Sequence, residues 1–292
     1  MKLITSSFEI IEQSPGIQGV KKQIEIAGRT CYKSESKITD DSCEEFVNRM
    51  VNSGHGAMLE HGTVYLFIKV SAYDQTLIYH IQDYEKNPYS KVLYLGTDDN
   101  TETEFKDVLG NPATGDMQYI ITTNYRVLVE NGWLDDLQYQ CEPTEYHEKR
   151  ITVKFICDRG VSHEFVRHRV SSFAQESTRY CNYLKEKFGM SVTFTQPDWI
   201  KTEDQSEFEE DCRIMEALYF KWINKGYKAQ EARYFLATGV KTELVVTAYV
   251  SDWEHFFKLR CHSTAHPDAR ALAIPLKDEF VNHKYINDDS IS

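Results

Sequence analysis

The sequence predicts one α+β domain over residues 1–292, with a mixed or antiparallel sheet flanked by helices. Segments of alternating apolar residues and segments of helical spacing follow one another in irregular order. No glycine-rich phosphate loop follows a predicted strand, which disfavours a doubly wound dinucleotide-binding fold. Turn-forming residues at 87–88, 96–100 and 110–112 mark the segment 84–150 as an insertion.

Four elements are predicted before residue 150. Residues 40–53 are expected to form a helix, because apolar residues recur at helical spacing and Gly54 follows them. Alternating apolar residues predict a strand over 64–70. Within the insertion, 119–122 is predicted as a strand and 126–130 as a helix.

The second half opens with a strand followed by a short helix. Alternating apolar residues predict strands over 151–157 and 242–250. A turn at 158–160 follows the first of these strands, and Ser162 is expected to cap a short helix that runs toward Arg167.

Helical spacing of apolar residues predicts four more helices. They are expected at 206–225, at 229–236, from Ser251 to about Arg260, and from about Pro267 onward. Ser251 and Glu254 have the spacing of a capping box, and Pro275 is expected to kink the last helix.

Composition limits the classes of function. The net charge of −12 argues against a protein that coats nucleic-acid phosphates. We expect no signal peptide and no membrane span, because no apolar run approaches about 18 residues. The chain has seven cysteines and no Cys-x-x-Cys pair, so a disulfide framework or zinc knuckle is not expected and a reduced, cytoplasmic setting fits.

Residues 167–180 concentrate cations and hydroxyls in this acidic chain. They read Arg-His-Arg-Val-Ser-Ser-Phe-Ala-Gln-Glu-Ser-Thr-Arg-Tyr. Basic residues in a last helical turn offset the negative end of the helix dipole, which is one explanation. The other is an anion site, because the guanidinium fork matches phosphate and carboxylate. The residue types alone leave both open.

The whole string resembles the motif of the flavin-dependent thymidylate synthases. The shared pattern is Arg-His-Arg, seven residues, then Ser, with Arg-Tyr two residues on. Residues 54–61 with the strand after them, 162–166, 231–233 and 242–260 resemble further segments of that family. The likeness covers roughly 40–70 and 150–285.

The resemblance implies a reaction and its partners. dUMP becomes dTMP, methylenetetrahydrofolate gives the carbon, and FAD reduced by NADPH supplies the reducing equivalents. The uracil is activated electrostatically, without a covalent enzyme nucleophile. A homotetramer with sites shared between subunits is implied as well.

The resemblance also implies two sets of contacts. For dUMP they are Arg167, Gln175, Glu176, Ser177, Thr178, Arg179, Arg233, Leu259, Arg260 and, as the doubtful member, Glu164. For FAD they are His55, Glu60, Arg167, His168, Arg169, Gln175 and His255. Arg260 and Arg233 are the expected catalytic residues, because a fixed cation beside N3 stabilises the uracil anion. Arginine stays protonated and cannot itself be the base.

Three positions depart from the family pattern. Glu164 stands where the family often has Gln, and an acid facing a uracil carbonyl would be awkward unless protonated. Tyr249 and Ser251 stand where it often has Asn and Arg. Asn124 and Arg126 of the insertion could supply the missing groups.

Other functions stay open at this point. Ser177 or Cys181 could be a nucleophile, although no Gly-x-Ser-x-Gly elbow frames Ser177. A metal-dependent hydrolase could use His55, His61, His163 and His168, but their spacing lacks a tight ligand motif and no metal is expected. A nucleotide-binding member of the same fold that has lost turnover is the remaining alternative.

Overall fold

The computed structural model describes residues 1–97 and 116–287. Of the predicted turns, 110–112 and the 98–100 part of 96–100 lie outside the described residues.

The strands and α-helices alternate irregularly along the chain. The strands are β1 (Lys2–Ile4), β2 (Ser7–Ile11), β3 (Thr63–Ser71), β4 (Lys91–Thr97), β5 (Asp116–Asn124), β6 (Arg150–Asp158), β7 (Ser172–Gln175), β8 (Thr193–Thr195) and β9 (Lys241–Tyr249). The α-helices are α1 (Gly16–Tyr32), α2 (Ser42–Asn52), α3 (Gly56–Leu59), α4 (Gln75–Lys86), α5 (Tyr125–Asn131), α6 (Arg159–Phe165), α7 (Gln205–Asn224), α8 (Ala229–Ala232), α9 (Val250–Arg260) and α10 (Pro267–Asn282).

The predicted α+β class, with antiparallel sheets flanked by helices, is confirmed. The larger sheet has the strand order β2-β6-β9-β7, with β2 antiparallel to β6 and β7 antiparallel to β9. A second sheet has the order β3-β5-β4 and is antiparallel throughout. The short strands β1 and β8 form a parallel pair.

The described residues divide into two compact units. Unit 1 comprises Met1–Glu12, Ile26–Ile38 and Ile151–Ser292, and unit 2 comprises Gln13–Glu25 and Thr39–Arg150. The single-domain organisation over 1–292 stays a prediction.

Unit 1 holds two apolar cores. In the first, β6 and β9 pack against α6, α9 and α10, and Phe155, Trp253 and Phe257 are among its fully buried side chains. Strand β9 is buried along almost its whole length, which explains why 242–250 reads as an apolar run. The second core joins α7 to β8, with Tyr219 and Phe194 inside.

Unit 2 is built on one face of its sheet. Val64, Leu66 and Ile68 alternate inward from β3 and pack against α2 and α4. The segment predicted as an insertion contributes β4, β5 and α5, and β5 lies between β3 and β4. The insertion therefore supplies the centre of this sheet.

Two predicted caps are wrong. Residues 159 and 160 belong to α6, whose N-terminus is capped by Asp158: its Oδ1 accepts from the Val161 amide at 2.8 Å. Ser162 is fully buried inside that helix. Helix α9 begins at Val250 with Tyr249 as its N-cap residue, so Ser251 lies within its first turn and not at the cap position. In both places the helix starts directly from the strand end, with no connecting loop.

The other boundaries lie close to their predictions. The helix predicted at 229–236 is α8, followed by a single 3₁₀ turn at Arg233–Phe235. Helix α10 runs through Pro275 to Asn282, and the kink there stays a prediction. No helix within 1–97 or 116–287 is long and apolar enough to cross a membrane.

Candidate functional site

Arg260, at the end of α9, is held at three points by residues that follow β6. Its Nη1 donates to Glu164 Oε2 at 2.5 Å and its Nη2 donates to the Glu164 carbonyl at 2.8 Å. Its Nε donates to His168 Nε2 at 2.9 Å. We call Glu164, His168 and Arg260 the Arg260 cluster. Because all three of its nitrogen atoms donate to these residues, the Arg260 guanidinium is fixed in orientation as well as in position.

His168 accepts this hydrogen bond as a neutral ring. It is buried and packs edge-on to Phe256. Burial is the largest cause that lowers its pKa to about 4, followed by the nearby charges of Arg260 and His255. With Nε2 as the acceptor, the ring proton lies on Nδ1.

The residues that flank His168 point to solvent. Arg167 and Arg169 are exposed, and neither has an acidic partner among the residues that the structure describes. His255 and Leu259 are exposed on α9. The buried neutral histidine therefore lies between two available cations.

Strand β7 sends its last side chains to opposite faces. Gln175 Nε2 donates to Ser162 Oγ at 2.8 Å and to Thr242 Oγ1 at 3.2 Å. Glu176, just past the strand, is buried on the other face and accepts from Lys241 Nζ at 2.9 Å. The Gln175 side-chain carbonyl oxygen accepts no hydrogen bond from the described residues, whereas the Glu176 carboxylate is paired with Lys241.

The turn after β7 carries the hydroxyls and the last motif arginine. The Ser177 amide donates to the Cys31 carbonyl at 3.0 Å, and Thr178 Oγ1 accepts from Arg233 Nη1 at 3.1 Å. Arg179 is exposed, with its guanidinium 5.7 Å from the centre of the Tyr180 ring. The structure therefore brings Arg233 to the motif turn.

The remaining two FAD candidates lie in unit 2. His55 is exposed and precedes α3. Glu60 is buried, and its carboxylate accepts from Arg126 Nη1 at 2.5 Å while its carbonyl accepts from Arg150 at 2.9 Å. Arg126 also pairs with Glu130 at 2.7 Å.

The structure places each of the three departures, and it explains the one at Glu164. Glu164 is the partner of Arg260, which accounts for an acid at that position. Tyr249 is buried and Ser251 is exposed on the first turn of α9. Asn124 caps α5, because its Oδ1 accepts from the Val127 amide at 3.2 Å.

Cys181 is poorly suited to nucleophilic chemistry. It is buried, and desolvation is the largest cause that raises its pKa to about 12. Ser177 Oγ makes no hydrogen bond to any described residue, so no base contacts it in this part of the chain. Searching the same residues finds no group of three or more His, Cys, Asp and Glu that could hold a metal ion.

An ion-pair network beside Glu176 was not predicted from the sequence. Glu243 contacts Lys33, Lys154 and Lys241 through its two carboxylate oxygens. A signal was present, because Lys241 and Glu243 are two residues apart in a predicted strand and so share a face. Lys33 could not be found that way, because it comes from a distant part of the chain.

Residues 130–283 match the family model of the thymidylate synthase complementing protein, which is more than half of the chain. The chain belongs to this family. The match contains the whole 167–180 motif, Arg233 and Arg260, and leaves out the 40–70 segment with His55 and Glu60.

Relatives of known name agree with the family. The chain is 33% identical over 126 residues to the flavin-dependent thymidylate synthase of Pyrococcus furiosus, covering 42% of this chain and 50% of that protein. It is 31% identical over 120 residues to that of Geobacter sulfurreducens, covering 40% and 50%. The chain thus spans about half the length of the curated relatives it matches. Among solved structures, a UMP/dUMP methylase PolB from Streptomyces cacaoi bound with 5-Br dUMP superposes with a TM-score of 0.43 at 14% identity, over 97% of this chain and 93% of that one.

Proposed function

We propose that this protein is a flavin-dependent thymidylate synthase that converts dUMP to dTMP. The observation that carries the proposal is that the motif arginines are exposed and have no acidic partners among the described residues. These are Arg167, Arg169 and Arg179, in a chain of net charge −12. Cations left unpaired in an acidic protein are suited to anionic ligands.

The dUMP phosphate is assigned to the turn after β7. Ser177 Oγ can donate to it, and the exposed Arg179 can make a charge-assisted hydrogen bond. Each such bond contributes about 1.5–3 kcal/mol. Arg233 stands beside this turn through its bond to Thr178, and Gln175, Glu176 and Leu259 complete the proposed dUMP contacts.

The uracil ring is assigned to Arg260. A guanidinium has five N–H donors. Three of them are used on Glu164 and His168, so the others can face the N3 side of the ring. Because the cluster fixes the cation, stabilisation of the uracil anion needs no rearrangement at the moment of reaction.

The exposed guanidinium groups of Arg167 and Arg169 fit FAD, since arginine forks match a pyrophosphate and a cation stabilises an anionic reduced ring. His55, Glu60, His168, Gln175 and His255 are the further residues proposed to contact FAD. When bound, FAD passes on the reducing equivalents of NADPH.

The reaction balances without an enzyme adduct. The C5–H proton of dUMP leaves, the methylene carbon of methylenetetrahydrofolate bonds to C5, and a hydride equivalent from NADPH makes it a methyl group. Tetrahydrofolate and NADP⁺ are the other products. The buried, high-pKa thiol of Cys181 supports this noncovalent route. A homotetramer with shared sites and a cytoplasmic location belong to the same proposal.

The test is tritium release from dUMP labelled at C5, with FAD, NADPH and methylenetetrahydrofolate each omitted in turn. Release that requires every component is the expected result. If flavin and dUMP bind but no tritium is released, the protein is a non-catalytic binding member of the family, and the synthase assignment is wrong.

A further inference from the structure

Unit 1 contains a polar cavity that is lined by neither the motif arginines nor the residues of the Arg260 cluster. It has a volume of about 260 Å³. We call it the lysine pocket, because its charged lining residues are Lys2, Lys33, Lys187, Lys241, Glu176 and Glu243.

The two acids of the lysine pocket are already neutralised by cations. Glu243 contacts Lys33 at 2.7 Å, Lys154 at 2.7 Å and Lys241 at 2.5 Å. Burial alone would raise its pKa, but these lysines outweigh burial and lower the pKa to about 2. Glu176 is paired with Lys241. Neither carboxylate is therefore available to balance a further cation.

Lys2 and Lys187 are the uncompensated cations. Lys187 Nζ donates only to the Lys33 carbonyl at 3.2 Å, and Lys2 Nζ has no acid or acceptor within the described portion of the chain. Ammonium groups that converge on one cavity repel each other unless an anion lies between them. The pocket is lined by four lysines and two acids, so it has an excess of positive charge that suits an anion.

A buried hydroxyl is the independent sign of a ligand. Ser191 lines the same pocket, is 9% exposed, and its Oγ has no hydrogen-bond partner among residues 1–97 and 116–287. An unsatisfied buried hydroxyl costs stability unless a ligand or water bonds to it. Ser191 therefore places an unsatisfied hydroxyl in the wall of the lysine pocket.

Gly189 keeps room for the Lys2 ammonium. Its φ of +67° is left-handed, and a Cβ there would lie 2.9 Å from Lys2 Nζ. Any larger residue would displace that ammonium group. The backbone is thus compatible with a cation directed into the cavity.

We propose that the lysine pocket binds a phosphoryl dianion, either inorganic phosphate or the phosphate of a monoester. Lysine acts on phosphate as a point charge, and several ammonium groups around one hydroxyl donor match its many acceptor oxygens. The site does not depend on the proposed synthase activity. Glu176 belongs to both regions, because it immediately precedes Ser177 of the motif turn and its side chain lines the lysine pocket and accepts from Lys241.

The experiment is isothermal titration of the full chain with inorganic phosphate, and separately with methyl phosphate, at constant ionic strength. The variants are Lys2→Gln, Lys187→Gln, their double variant and Ser191→Ala. Lys86→Gln is the matched control, since it removes the same charge from an exposed helix position in unit 2. Lys2 and Lys187 are exposed, so these variants are expected to fold.

Saturable binding by the wild type, weakened about tenfold or more in the double variant and about threefold or more by Ser191→Ala, is the expected result. Lys86→Gln should bind as the wild type does. Tighter binding of one probe identifies free phosphate or an ester as the source.

The proposal is overturned if neither probe saturates, or if the double variant binds both as tightly as the wild type. It is also overturned if Arg179→Gln, and not the lysine variants, abolishes binding, because the phosphate would then occupy the motif turn. Tritium release is measured on the same wild-type preparation, so a failed titration and a failed synthase assignment are told apart.

Discussion

The Arg260 cluster and the lysine pocket differ in how their positive charges are balanced by acids. In the cluster, one guanidinium faces one carboxylate and one neutral histidine, and each of its nitrogen atoms donates to a protein acceptor. In the pocket, the lysines exceed the acids, and Lys2 and Lys187 have no acidic partner among the described residues. The cation of the first arrangement has a counter-charge within the protein, whereas the second has an excess of positive charge that an anion would balance.

The difference indicates that the Arg260 cluster holds a cation in a fixed position, whereas the lysine pocket is suited to attract an anion. A cation whose hydrogen bonds are satisfied cannot move far, so it can act on a group brought to it at small reorganisation cost. A cation excess attracts an anion but does not fix its orientation. The two regions should therefore respond differently to mutation.

The largest effect on stability is expected for Glu243→Gln in the lysine pocket. The change takes the buried counter-charge from Lys154 and leaves Lys33 with Glu35 alone and Lys241 with Glu176 alone, since the Glu243 side chain is only 8% exposed. Breaking a buried ion pair from one side costs about 3–5 kcal/mol. Urea unfolding at pH 7 measures the loss.

Glu210→Gln is the control, because it removes an acid whose side chain is 64% exposed on α7. It should change the free energy of unfolding by less than about 1 kcal/mol. Equal losses in both variants would show that the buried network adds nothing to stability, and the contrast between the regions would fail.

Arg260→Ala tests the cluster and should act on turnover. Removal of one pre-positioned electrostatic group costs about 100- to 1,000-fold in rate. Tritium release should fall by that factor while the flavin absorbance of the purified protein is retained. Lys258→Ala, exposed on the same helix, should keep normal turnover. Near-normal release by Arg260→Ala would remove it from the chemistry.

Arg179→Ala should weaken binding more than turnover. Arg179 is exposed, and its side chain has no partner among the described residues except the Tyr180 ring, so we expect it to behave like Lys2 and Lys187 and unlike Arg260. Loss of one charge-assisted hydrogen bond predicts a rise of about 10- to 100-fold in the Kd of dUMP. Fluorescence titration measures it, with exposed Arg213→Ala as the control. An unchanged Kd would place the phosphate elsewhere.

The elements that were predicted have local signals, whereas α1, α4 and the strands β1, β2, β4, β7 and β8 were not predicted. The apolar runs of β6 and β9 and the stripe of α7 identify these three elements within a residue or two. The starts of α6 and α9 were missed, because Asp158 and Tyr249 end a strand and begin a helix at once. Composition also marked 84–150 as an addition, whereas strand pairing between distant segments makes β5 the centre of a sheet.

The candidate site could be predicted only in part, because some of its contacts join residues that are far apart in the sequence. The motif identified Arg167, Arg169 and Arg179, whose significance lies in being unpaired. The cluster depends on contacts that cross long stretches of chain, such as Arg260 with Glu164. Sequence spacing cannot reveal such contacts. Glu164 was therefore noted as a departure from the family pattern, whereas the structure shows that it pairs with Arg260.

His168→Gln is the smallest of these effects and tests how the cluster holds its arginine. The folded-state pKa of His168 is about 4, below its ordinary value of 6.5, because of burial and then the charges of Arg260 and His255. A group whose pKa is depressed on folding contributes stability above the unfolded pKa, and that stability is lost as pH falls toward the folded pKa. The wild type should therefore lose melting temperature between about pH 6.5 and 4. The Gln side chain keeps an acceptor for Arg260 Nε and does not titrate. The melting temperature of the His168→Gln variant should therefore fall less steeply over that range. The control variant His262→Gln, at an exposed position, should follow the wild type. Parallel curves for all three proteins would mean that His168 is not held neutral by the fold, and the cluster would then carry two cations that repel each other as the pH falls.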